Sequence, residues 1–172
     1  MVKDHDPQLA RDDGSHVMQA HDHKACIDRV LADVEEISAS QCLRLTPVRR
    51  RVLEILLEEH EAIGAYDVLK RLEADGMKAQ PPIAYRALEF LQEHGFVHKI
   101  ERLNAFVACM HPREDHTPAF MVCRLCRTVA ETHSDEPQAL MGEAAKELGF
   151  KIERTVLEVE GICPVCQQGD RA

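Results

Sequence analysis

Between Pro81 and Cys109 the spacing of apolar residues changes character. Ala84, Leu88 and Leu91 recur at helical intervals with Ala87 beside them. Pro81 and Pro82 precede them and suit a first helical turn, where a missing N–H has no intrahelical partner to lose. Gly95 stands where a left-handed residue would close that helix. Two short runs rich in Phe, Val and Ile follow, Phe96 to Arg102 and Ala105 to Cys109, around Leu103-Asn104; they predict a β-hairpin. Upstream, Ile27, Val30, Leu31, Val34 and Ile37 predict an amphipathic helix, with Cys26 and Cys42 at its edges as buried or half-buried thiols, metal ligands without a C-x-x-C partner being the alternative. Thr46-Pro47 starts a second helix whose buried stripe is Val48, Val52, Leu53, Ile55 and Leu56. Gly64 opens a third, with Val68, Leu69 and Leu72 inside and Asp75-Gly76 at its end. Short helices with tight joins, then a hairpin, outline a winged helix-turn-helix over residues 24–110, with Tyr85 and Arg86 facing outward. Any small helical bundle is the alternative.

Beyond the hairpin, HPREDHTP at 111–118 reads as a linker. Phe120–Cys123 and Thr128–Thr132 predict strands on either side of a Cys123-Arg124-Leu125-Cys126 turn. Ser134 or Asp135 caps a predicted helix starting near Pro137, with Leu140, Met141, Ala144, Ala145 and Leu148 on its inner face and Gly149 at its end. In 151–161, Leu157 and Val159 alternate with Glu158 and Glu160, a half-buried strand. Residues 119–172 are thus a small β-β-α-β domain, and the chain as a whole is α+β. Residues 1–23 are polar and carry His5, His16, His21 and His23; a disordered tail is expected, with a weak chelate at His21 and His23 as the alternative.

Charge changes the picture. The net charge of −9 does not advertise a polyanion-binding protein, yet residues 41–102 carry ten Lys or Arg against ten Asp or Glu, so the acidic excess lies elsewhere. Arg44, Arg49, Arg50 and Arg51 form a local basic cluster. Binding to double-stranded DNA would then rest on placement rather than bulk charge. No apolar leader and no membrane-length run occurs, which predicts a cytoplasmic chain without a membrane partner.

Seven cysteines in such a chain point to metal before disulfides. Cys123/Cys126 and Cys163/Cys166 form two C-x-x-C knuckles, which together close a tetrahedral Cys₄ site suited to structural zinc. A second, looser set is His98, Cys109, His116 and Glu131, drawn from the hairpin, the linker and the strand after the first knuckle. Imidazole, thiolate and carboxylate together suit zinc; His94, His111, Asp115 and His133 are rival donors. A zinc hydrolase would need an open position and a general base, and no H-E-x-x-H run exists, so no enzyme and no small-molecule substrate are expected. A zinc-ribbon interaction module is the other rival.

These residues together resemble the ferric uptake regulator superfamily, and within it the zinc uptake regulator branch. The resemblance runs from about Cys26 to Cys166 and rests on RLTPVR at 44–49, AYDVL at 65–69, PPIAYRAL at 81–88, GFVHKIE at 95–101, AFVAC at 105–109, CRLC and CPVC. The family's common form of the third motif is P-P-T-V-Y-R-A-L; Ile83 and Ala84 stand here for Thr and Val, while Tyr85 and Arg86 remain. The zinc branch uses a His in F-V-H-K, a Cys closing the wing, a linker His and a Glu after the first knuckle, which match His98, Cys109, His116 and Glu131. Iron-sensing members carry a His-rich run after the wing; this chain has HPREDHT. The resemblance implies a homodimer held by the C-terminal domain, with two zinc ions per subunit, one structural and one regulatory. It also implies repression of zinc-uptake genes when zinc is plentiful; iron-, manganese- or peroxide-responsive regulators are the alternative. By family position Tyr66 and Arg86 face bases, with Tyr85 beside them, and Arg44, Arg49 and Lys99 meet phosphate. Lys70 and Glu73, one turn apart, read either as an intrahelical pair or, where two dimers share one operator, as a reciprocal contact between dimers.

Overall fold

The computed structural model describes residues 23–59, 61–77, 80–114, 118–133, 136–153 and 155–169. Helix α1 (His23–Ser40) buries Val30, Leu31 and Val34, with Ile27 and Ile37 at the margin of the same stripe. It begins inside the stretch expected to be tail: His23 is helical and its Nε2 lies 3.1 Å from the Glu58 carbonyl oxygen. The rest of that stretch, with His5, His16 and His21, lies outside the described residues. Cys26 is half-buried as expected, but Cys42 is exposed, because the chain leaves α1 through a left-handed residue there (φ 56°). In α2 (Pro47–Leu57) Thr46 is the N-cap and its hydroxyl accepts from the Arg49 amide at 3.4 Å. Such a cap contributes about 1 kcal/mol. Strand β1 (Ile63–Gly64) leads straight into α3 (Ala65–Ala74), which Gly76 ends at φ 75°. Helix α4 (Pro81–Glu93) starts on its two prolines and buries Ala84, Ala87, Leu88 and Leu91. Gly95 takes φ 73°, and the Phe96 amide reaches back to the Leu91 carbonyl at 2.8 Å, which closes the helix.

The hairpin consists of β2 (Val97–Ile100) and β3 (Ala105–Ala108), joined by a 3₁₀ turn over Glu101–Leu103 and Asn104 at φ 46°. β1 adds a third strand, in the order β1-β3-β2. At two residues β1 carries no alternation for a sequence reading to detect. The hairpin is buried on both faces, unlike a projecting wing. Val97, Phe106 and Ala108 join the helical core, whereas Ile100 and Val107 join a second core with Phe120, Val122 and Val129.

Those last three come from the second sheet: β4 (Pro118–Cys123), β5 (Val129–His133) and β6 (Leu157–Gly161), in the order β5-β4-β6. β5 runs antiparallel to β4 across the first knuckle; β6 runs parallel to it, so the chain must cross over, and α5 (Glu136–Glu147) makes the crossing. A short α6 (Pro164–Gln167) carries the second knuckle. The expected cap residues Ser134 and Asp135 lie outside the described residues. Two expectations in this half are corrected. On β6 Val159 is exposed at 47%, because it is the opposite face, with Glu158, that turns to the hairpin. Of the inner face proposed for α5, Ala145 is buried, but Ala144 is exposed and so are Met141 and Leu148, at 56% and 81%. Among the described residues no second layer covers that side of the helix.

Candidate metal centre

The two knuckles bring Cys123, Cys126, Cys163 and Cys166 together with all sulfurs within 4.8 Å of one another. Each knuckle is shaped by backbone bonds to sulfur: the Cys163 amide donates to Cys123 Sγ at 3.4 Å, and the Cys166 amide to Cys163 Sγ at 3.5 Å. Cys126 Sγ lies 3.6 Å from Cys163 Sγ. The edge of a tetrahedral zinc–thiolate site is about 3.8 Å, so the donor set fits zinc. Electrostatics divides the four thiols. Burial works against the Cys123 thiolate, but amides of Cys126, Cys163 and Leu125 donate to it and bring its pKa down to about 6. Burial, and the hydrogen bonds that its thiol donates to the sulfurs of Cys126, Cys163 and Cys123, push Cys166 up to about 12.

The second centre forms where the hairpin meets the second sheet. His98 on β2, Cys109 after β3 and Glu131 on β5 place one donor atom each within 4.8 Å of the others, all buried. His98 Nε2 is 3.2 Å and Cys109 Sγ 3.8 Å from Glu131 Oε1. These separations suit the edges of a tetrahedron with zinc–nitrogen and zinc–oxygen bonds of about 2.0–2.2 Å. Glu131 Oε2 accepts from the Met110 amide at 2.9 Å, which aims the other oxygen at His98 and Cys109. Burial, then the charge of Glu131, raises the Cys109 thiol well above its ordinary pKa. A buried carboxylate against a thiol and an imidazole is a site that gains from a cation. His116, the expected fourth ligand, lies outside the described residues, as does the rival Asp115. Of the other rivals, His94 packs edge-on against Phe90 at 4.5 Å between ring centroids, and His111 is buried without joining the described cluster.

On the face of the hairpin opposite His98, a hollow of about 420 Å³ opens between α3, α4 and the hairpin, lined by Tyr66, Tyr85, Glu89, Gln92, Lys99 and Asn104. Tyr66 and Tyr85 are exposed at 67% and 52%. Arg86 is exposed and has no ion pair among the described residues, as is Arg44. The expected basic cluster is otherwise spoken for. Arg50 pairs with Glu35 and Glu54, and Arg51 with Glu58 and Asp75. Arg49 lies over the Phe90 ring at 3.5 Å and donates to the Arg44 carbonyl. Lys99 pairs with Glu101 at 2.6 Å. Lys70 pairs with Asp67 at 3.2 Å, not with Glu73, and lies 4.5 Å from the centre of the Tyr66 ring; the side chain therefore turns toward the N-terminal end of α3.

A helix-rich unit with a hairpin, joined through that hairpin to a thiol-rich sheet with two clusters of metal donors, defines a class. The chain belongs to the ferric uptake regulator family, whose model matches residues 40–160. Its relatives include the zinc uptake regulation protein of Escherichia coli (strain K12), 38% identical over 144 residues, 83% of this chain and 84% of that protein. The ferric uptake regulation protein of Neisseria gonorrhoeae is 29% identical over 127 residues, 73% of this chain and 87% of that one. Among solved structures, a zinc uptake regulator complexed with zinc and DNA matches with a TM-score of 0.80 at 37% identity, covering 84% of this chain and 97% of the other. Holo XcZur matches with a TM-score of 0.76 at 36% identity, covering 82% and 99%.

Proposed function

We propose that this chain is a zinc-responsive DNA-binding repressor of zinc-uptake genes, acting as a homodimer. The observation that carries the reading is the convergence of His98, Cys109 and Glu131 from both sides of the junction between hairpin and second sheet, in a chain of this family. Zinc bound there would supply a cation that holds the two sides together, with His116 as the fourth ligand. His98 and Cys109 belong to the unit that carries α4, whereas Glu131 belongs to the sheet that carries the Cys₄ knuckles. Their separation or closure therefore alters the angle of α4 relative to that sheet. A head free to sample many angles binds an operator with an affinity reduced by the fraction of competent angles. A thiolate among the ligands favours zinc over iron or manganese.

Cys123, Cys126, Cys163 and Cys166 serve as the structural site in this reading, and residues 119–172 as the dimerisation domain after a 111–118 linker. The exposed apolar side chains Met121, Met141, Leu148, Phe150 and Val159 all lie in that half and support burial against a second copy. On the other half, Arg86 and Tyr66 read bases with Tyr85 beside them, while Arg44, Arg49 and Lys99 meet phosphate; Arg49 and Lys99 leave their present partners to do so. Two dimers on one operator would bring Lys70 of one toward Glu73 of the other, in competition with the Lys70–Asp67 pair.

The test is binding to a candidate operator titrated with free zinc, and separately with ferrous and manganous ions. Zinc promotes binding at the lowest free concentration. A stronger response to ferrous or manganous ion would move the chain to the iron or manganese regulators, and sequence-specific binding that ignores metal would end the reading.

A further inference from the structure

The second sheet carries a row of three residues in register: Glu131 on β5, Phe120 on β4 and Glu158 on β6. Glu131 holds one end of the hairpin, through the Met110 amide and its contacts with Cys109 and His98. Phe120 packs against the middle, with its ring 5.4 Å from that of His98. Glu158 holds the far end: its two carboxylate oxygens accept from the Glu101 amide at 2.7 Å and the Arg102 amide at 3.2 Å, both in the 3₁₀ turn. Two rows up, on the same face, Glu160 pairs with Arg102 at 2.6 Å. Residues 101 and 102 are thus tied to the second sheet by three contacts that involve none of the metal donors.

We infer that Glu158 is a second, metal-independent clasp that sets the angle between the head and the second sheet and thereby tunes the affinity of the His98–Cys109–Glu131 centre for zinc. The physical argument is one of shared ordering. Closing the metal centre requires β2 and β3 to lie against β4 and β5. An ionised carboxylate that caps two backbone amides is a charge-assisted, two-point attachment, and it holds the hairpin there before metal arrives. Zinc then spends less of its binding free energy on ordering the junction. Reciprocity requires closed metal to strengthen the clasp by the same factor. Glu158 is a positioning residue: among the described residues it touches no donor atom of either centre. Sequence reading assigned its side chain only to the polar side of a half-buried strand, since its partners lie 56 and 57 residues away.

The inference rests on the metal-sensor reading above, but its test does not depend on operator binding. Wild type, Glu158→Ala and Glu158→Gln are compared as zinc-loaded full-length chains. Competition with a chelator gives the affinity of the weaker zinc site, and hydrogen exchange gives the protection of the Glu101 and Arg102 amides. In Glu158→Ala both amides exchange faster, the weaker site loses roughly five- to tenfold in zinc affinity, at the low end of usual couplings between sites, and the tight zinc and the oligomeric state are unchanged. Glu158→Gln, which keeps one oxygen without the charge, falls between the two. Unchanged exchange would show that the clasp does not form, and faster exchange with unchanged zinc affinity would show that it does not set the angle; either overturns the inference. If Glu158→Ala does not fold, the near-isosteric Gln variant carries the same comparison. A wild type that ignores zinc in operator binding would defeat the regulator reading while leaving this zinc comparison decisive.

Discussion

Cys109 is the residue on which the proposed switch turns. Its thiol is buried against a carboxylate and is held neutral well above the usual thiol range. The sign of the pH dependence follows. In the metal-free chain a raised thiol pKa leaves stability intact below the ordinary value of about 8.5 and removes it as pH rises beyond that, because only the unfolded chain can ionise there. Zinc at the proposed regulatory centre reverses the dependence, since the ligand must be the thiolate. Zinc binding at this centre therefore releases the Cys109 proton near neutrality, and affinity falls by about tenfold for each unit that pH is lowered on that account alone. Proton release measured calorimetrically in buffers of different ionisation enthalpy checks this. Cys109→Ser keeps the fold, the dimer and one tightly held zinc per subunit but loses zinc-dependent operator binding. Persistence of zinc-dependent binding in that variant would remove Cys109 from the sensor. Cys123 is shifted the opposite way: amides donating to its sulfur bring its pKa down to about 6, whereas Cys166 is pushed up to about 12.

At the scale of elements, α4 and the hairpin have separate duties. Helix α4 buries one face and leaves Tyr85 and Arg86 exposed on another, which is the arrangement a base-reading helix needs. Arg86→Ala weakens specific binding by about 1–3 kcal/mol and leaves zinc content unchanged. An operator preference identical to wild type, measured by competition with a scrambled sequence, would exclude Arg86 from the reading set. The hairpin carries Lys99 on its exposed side, but both of its faces are otherwise packed, and its turn is tied to Glu158 and Glu160. It joins two cores more than it probes solvent. AFVAC has no polar alternation, which suits a strand covered on both sides.

For the whole molecule, the Cys₄ centre is more than a stabiliser of its own knuckles. β6 runs from Glu158 through Glu160 and Gly161 directly to Cys163, and the Arg124 amide of the first knuckle donates to the Gly161 carbonyl at 3.0 Å. The strand that clasps the hairpin is thus anchored at its end by the thiol cluster. Apparent zinc binding energies of about 10–16 kcal/mol at such sites are folding energy. Cys123→Ser accordingly unfolds the second sheet and abolishes the dimer. Sedimentation and circular dichroism check both, and a folded dimer of that variant in chelator would contradict the structural assignment.

The boundary between what was legible in the sequence and what was not follows from the range of the interactions. The helices were legible because their causes are local: the apolar stripe of α1, the Thr46 cap of α2, the two prolines and Gly95 around α4. The Cys₄ cluster was legible because each knuckle encodes its pair within four residues. The set His98, Cys109 and Glu131 was selected from among rival donors by resemblance rather than by spacing, and only folding brings its atoms together. The sequence also suggested a basic cluster at residues 44–51 and an inner face on α5. Both depended on neighbours that no local pattern reveals: the carboxylates Glu35, Glu58 and Asp75 took up Arg50 and Arg51, and no second layer for α5 is present among the described residues. Local chemistry determined which elements form and where thiolates are offered. Tertiary structure alone decided that β5, β4 and β6 align Glu131, Phe120 and Glu158 in one row, because register across a sheet is set by side chains packing between strands remote in sequence.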